Sequence, residues 1–247
     1  MSSSIEPRLT QEAGRPPVPA SLGSQLRSLV LLYSGSAARE GYLSAVDQGV
    51  ISLANFVATI ILARTVSPTE LGIYGVGFTI LRLGRAIQDG LVVQPVNVFG
   101  AAMDKDLFRR YASSAAILQV VTAAGCALAV AITGWILIIN GQDTAGVALF
   151  FTWFAMFWWL LQEFIRRILY TRGRVLPAVI NTVVANLVRL GLMLWWAAQG
   201  TLSGVRGLDA IGWGALAALI PGLWLTRRYW TPKIYPLKAI SQQFWGF

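Results

Sequence analysis

The sequence predicts an all-α, polytopic integral membrane bundle of about six transmembrane helices. Hydrophobic residues make up 55% of the chain and charged residues only 13%, against about a quarter charged in soluble domains. Mean hydropathy is +0.60. Long apolar runs recur along the chain, separated by short connections, and many of the ten tryptophans stand near the ends of those runs, where an amphipathic ring suits the headgroup layer.

The spans are expected at roughly 46–64, 71–98, 112–139, 147–165, 176–198 and 210–226. Before the first, Ser44-Ala-Val-Asp47 resembles a weak capping box, which gives Asp47 a purely structural reading. The second opens on Ser67-Pro68-Thr69-Glu70: an N-cap serine, a proline at N1 and a carboxylate at N3 able to reach back to the cap amide. Glycines 72, 75 and 77 follow without a strand before them or a Lys-Ser/Thr ending. Helix packing explains them better than phosphate binding. The third span holds Cys126, the single cysteine, read as a small packing residue. After the fourth come Arg166, Arg167, Arg172 and Arg174, read as topology and anionic-lipid contacts, with Glu163 and Arg167 as an i,i+4 pair. The sixth is the shortest.

Lys and Arg alternate between connections. They gather after the second, fourth and sixth spans and thin out elsewhere, so both termini are expected in the cytoplasm. Residues 1–45 are expected to form an unprocessed, partly disordered cytoplasmic tail, with a weak amphipathic stretch at 22–33. Residues 46–228 form the membrane lobe. Residues 229–247 are expected to be a cytoplasmic segment leading to the start of a cut-off seventh span.

Composition excludes several functions. The formal charge of +9 is dispersed between apolar runs instead of forming one patch, so nucleic acid is not the expected partner. With no histidine and one cysteine, no Cys/His metal site or intrachain disulfide can form. No nucleophile elbow and no GxxxxGK[ST] loop is present, so neither catalysis nor ATP coupling is expected, and no cofactor.

The informative residues are the charges inside the spans. Arg82, Arg85 and Asp89 fall on one face of the second span, within an arc of roughly 60° at about 100° per residue. Each charge near the bilayer centre costs about 2.5 to 3.5 kcal/mol, so such a face turns toward protein or a watery cavity. Arg85 and Asp89 can neutralise each other as a structural pair, whereas Arg82 has no partner on its own helix. On the fifth span Thr182, Asn186 and Arg189 share a second polar face, beside the small Ala178 and Ala185. If the two faces meet, Arg82, Arg85, Arg189 and Asn186 form an anion-binding group, since guanidinium binds phosphate bidentately and keeps its charge when buried. Pairing of Arg189 with Asp89 is the structural alternative. Asp47, Asp89 and Glu163 are the carboxylates available for ion coupling.

The stretches Asp47–Arg64 and Ser67–Tyr74, then Gln88-Asp-Gly-Leu-Val-Val-Gln-Pro95 and Leu161-Gln-Glu-Phe-Ile-Arg-Arg-Ile-Leu-Tyr-Thr-Arg-Gly173, resemble in order and character the N-terminal half of bacterial polysaccharide exporters. These are the O-antigen-type lipid-linked oligosaccharide flippases of the multidrug/oligosaccharidyl-lipid/polysaccharide superfamily. The resemblance implies one lobe of a two-lobe transporter in a bacterial cytoplasmic membrane. It also implies a polyprenyl-pyrophosphate-linked glycan as substrate, membrane lipid around it, and either a second six-helix lobe or a homodimer to complete the pathway. A non-transporting interaction subunit of a glycan-assembly complex, or an inactive fragment, is the rival expectation.

Overall fold

The computed structural model describes residues 36–233; the expectations for the tail before Ser36 and for a seventh span lie outside the described residues. Six long helical stretches build the fold among them, and no strand occurs there. Helix α1, Ser36–Thr65, begins ten residues before the span expected at 46. Positions 36–45 are therefore helical. Asp47 consequently lies well inside α1, which overturns its reading as a capping partner.

Helix α2, Pro68–Gln88, starts as its sequence dictates, with Ser67 Oγ accepting the Glu70 amide at 3.3 Å and Pro68 in the first turn. The Glu70 carboxylate does not close the box. It accepts the Gly204 amide at 2.6 Å, tying this turn to the start of a later helix. The expected single span at 71–98 is interrupted by a π turn at Asp89–Val93, after which α3, Gln94–Ala102, continues. Pro95 supplies the reason: it has no N–H for the carbonyl of Leu91, and its ring would strike that carbonyl in a regular helix. Widening the turn by one residue, with the Gln94 amide bonding the Asp89 carbonyl, removes the conflict.

Asp104 caps α4, Lys105–Ile139, accepting the amides of Asp106 and Leu107 at 3.0 and 2.8 Å. Helix α5, Asp143–Thr171, follows a turn in which Gly141 takes a φ of +77°. Helix α6 is Val175–Ala198 and α7 is Gly204–Thr226, the latter capped by Ser203 and closed by a 3-10 turn at Arg227–Tyr229. Helix α5 is central, packing most extensively on α4 and α7 and also on α2 and α6. Two glycines allow the closest approach: a Cβ at Gly134 would lie 2.3 Å from the Phe150 amide nitrogen, and one at Gly146 2.8 Å from that of Ile138.

Helices α1, α4, α5, α6 and α7 are long and apolar enough to cross a membrane. The described residues thus form an all-α bundle of the multi-pass membrane type. Five such helices stand where about six spans were expected, because Arg82 and Arg85 leave α2 less apolar than the rest. Cys126 packs partly buried against the larger apolar cluster, around Leu81, Met156 and Leu160. A second cluster gathers around Phe108, Tyr111, Phe164 and Ile168.

Candidate functional site

The interior holds ionisable side chains contributed by four helices. Arg166 on α5 is the hub. It is 1% exposed, with Nη1 donating to Asp47 Oδ2 of α1 at 2.6 Å and Nη2 to Glu163 Oε2 at 2.8 Å. Thr182 Oγ1 of α6 also accepts from Nη1, at 3.3 Å, and the Tyr170 hydroxyl donates to the same Asp47 oxygen at 2.6 Å. Glu163 in turn meets Arg85 Nη2 of α2 at 3.2 Å, and Arg85 Nε stands 3.7 Å from Asp89. A chain of ion pairs therefore runs Asp47, Arg166, Glu163, Arg85, Asp89.

Arg189 on α6 forms a neighbouring node. Buried at 6% exposure, it donates to Asn55 Oδ1 of α1 at 2.8 Å and to the Tyr74 hydroxyl of α2. Among the described residues no carboxylate lies within 4.0 Å of it, so the expected alternative of an Arg189–Asp89 pair is not what forms. Its partners are neutral. Arg85, Arg189, Glu163 and Asn186 all line one cavity of about 60 Å³, closed on the α1 side by Ile51 and Asn55 and walled by Phe78 and Trp159. That volume holds a few water molecules and nothing larger.

The structure thus brings Arg85, Arg189, Asn186 and Glu163 together, with Asp47 and Asp89 joined to them through ion pairs. It separates Arg82, which is exposed on α2, with its guanidinium 5.6 Å from the centre of the Phe78 ring and outside the cavity lining. Three of the sequence readings are corrected. Arg166 is not a lipid-facing topology residue but the most deeply buried cation. Glu163 pairs with Arg166 and Arg85 instead of Arg167. The interior is charge-balanced rather than cationic, since Asp47, Glu163 and Asp89 offset Arg85, Arg166 and Arg189 three to three.

Tyr170, Asn55 and Tyr74 were not singled out from the sequence, and Arg166 was read only as one of four interfacial arginines. The signal was present as spacing: 159, 163, 166 and 170 fall on one face of α5, and 47, 51 and 55 on one face of α1. Around this core, amide side chains satisfy helix backbones. Gln88 and Gln119 both donate to the Leu160 carbonyl, at 2.9 and 3.1 Å, and Gln162 reaches Asn181, which donates on to the Ala218 carbonyl. Among the described residues no group of three His, Cys, Asp or Glu side chains is placed to hold a metal ion.

Comparison with family models, with curated proteins and with solved structures finds no match for this chain.

Proposed function

We propose that this chain is one lobe of a transporter that carries the anionic headgroup of a lipid-linked oligosaccharide across the membrane by alternating access. One observation carries the reading: six ionisable side chains from α1, α2 and the π turn after it, α5 and α6 meet within a membrane bundle, around a cavity in which Arg189 has no acidic partner among the described residues. Burying charges in a bilayer protein is costly, and such groups mark substrate and ion paths. The carboxylates of Glu163 and Asp47 occupy the guanidinium groups as a phosphate would. A pyrophosphate entering the cavity would exchange for Glu163 on Arg85 while adding the first anionic partner to Arg189.

At about 60 Å³ the cavity is too small for a sugar, so on this reading the bundle must part to admit a headgroup. Helix α1 is the wall best suited to move, because Asp47 and Asn55 supply its polar attachment there. Resemblance to the polysaccharide exporters of bacterial cytoplasmic membranes supplies the substrate class. A second six-helix lobe, or a second copy, completes the pathway, and no chemistry on the glycan is involved. Basic residues of three connections share one end of the bundle, where Arg172 donates to the Met103 carbonyl, Arg109 to that of Trp230 and Arg174 to that of Leu225. This supports a cytoplasmic position for that end.

Charge balance favours a second reading, in which the ion pairs only fix helix packing in an interaction subunit of a glycan-assembly complex. Reconstitution separates the two. Liposomes holding this chain with a second lobe should translocate lipid-linked glycan headgroups, and Arg189→Gln should abolish it at matched expression. Absence of translocation with every second lobe tried favours the interaction subunit.

A further inference from the structure

At the basic end of the bundle, away from the interior network, Arg109 and Arg110 of α4 converge with Lys233 on a pocket of about 250 Å³, completed by Asp106 and Thr231. The pocket is built. Arg109 is held by donation of Nη2 to the Trp230 carbonyl at 3.1 Å, with Nη1 4.0 Å from Asp106, and its buried Nε has no partner among the described residues. Arg110 and Lys233 have no carboxylate within 4.0 Å among the described residues. Three cations against one carboxylate leave the pocket with a charge of +2.

Its position selects the ligand. The pocket lies at the Lys105 end of the apolar span Lys105–Ile139, the end that would meet a headgroup layer with the bundle in a bilayer, and the exposed Leu107 precedes Arg110 by three residues on the same helix. We infer that this pocket binds the phosphate of an anionic phospholipid, with Arg109, Arg110 and Lys233 around the phosphodiester and the acyl chains running down the apolar flank of α4. A basic pocket at a membrane-spanning helix end recognises headgroups by charge. Arg109 supplies a preset guanidinium, and the other two cations supply uncommitted charge. The inference requires only that the bundle sits in a membrane; it does not depend on the transport reading.

The test uses the full chain in vesicles of phosphatidylcholine doped with spin-labelled phosphatidylglycerol or spin-labelled phosphatidylcholine. The motionally restricted fraction should be larger for phosphatidylglycerol. Arg110→Gln with Lys233→Gln should lower that preference, by up to about fivefold per cation removed from the pocket. Arg110→Lys with Lys233→Arg should retain it, which separates lost charge from lost fold, and Arg206→Gln at the first turn of α7 should leave it unchanged. Equal restriction of both lipids, or an undiminished preference in the double Gln variant, overturns the inference. Loss of the preference on adding millimolar inorganic phosphate at constant ionic strength would also overturn it, assigning the pocket to free phosphate instead of lipid.

Discussion

Asp47 Oδ2 accepts two hydrogen bonds of 2.6 Å, one from Arg166 Nη1 and one from the Tyr170 hydroxyl, so a single carboxylate oxygen joins α1 to α5 across 119 and 123 residues of sequence. Each of Asp47 and Arg166 is only 1% exposed. Breaking such a pair strands a buried charge, at about 3–5 kcal/mol, whereas removing both partners together is far milder. Asp47→Asn should therefore destabilise the protein strongly in a thermal or detergent-unfolding assay. Asp47→Leu with Arg166→Met should lie closer to the wild type, because Glu163 keeps Arg85. A double variant as unstable as the sum of its singles would show that the pair is not coupled.

Arg189 and Arg82 are expected to separate functionally. In vesicles supplied with a second lobe, Arg189→Gln should lower headgroup translocation by at least about tenfold, the loss of one charge-assisted contact to a buried phosphate. Arg82→Gln should change it by less than about twofold, since that side chain is exposed and lies outside the cavity lining. Equal loss in both would move the anion site to the outer face of α2.

Topology is checked by labelling. With Cys126→Ala as background, single cysteines at Gln142 and Thr201 should react with an impermeant thiol reagent on intact cells. Those at Lys105 and Arg174 should react only after permeabilisation, as the clustering of basic connections at one end dictates. Labelling of Arg174→Cys from outside would invert the orientation.

Gly134→Val should cost about 1–3 kcal/mol, because its side chain would run into the backbone of Phe150 and force α4 off α5. Gly125→Ala on the same helix should be neutral or stabilising by up to about 1 kcal/mol, since nothing lies within 4 Å of the added carbon. Comparing melting temperatures of the two variants checks the α4–α5 contact directly.

Local chemistry made part of this structure legible in the sequence. Ser67 and Pro68 favour a helix start through their own cap and φ preferences, and Thr182, Asn186 and Arg189 share a face through spacing alone. Long-range pairing was not legible. Nothing in the sequence around Arg166 says that Asp47, 119 residues earlier, will neutralise it, so four arginines in a row of basic positions looked alike. Glu70 illustrates the same limit: its local partner was plausible, but the Gly204 amide lay nearer in three dimensions.

The widened turn before Pro95 changes how the following helix counts its residues. One surplus residue per turn rotates α3 by about 100° relative to an uninterrupted α2, and in that rotated register Asn97 accepts from the Thr171 hydroxyl at 3.0 Å. If Pro95→Ala let the segment relax to a regular helix with no residue removed, Asn97 would turn about 100° off that partner, whereas deleting one residue within 89–93 as well would restore a regular helix and leave Asn97 in register. The surplus residue therefore sets which stripe of α3 meets α5, so that a single residue gained or lost at this point alters turn width or helix orientation, not loop length.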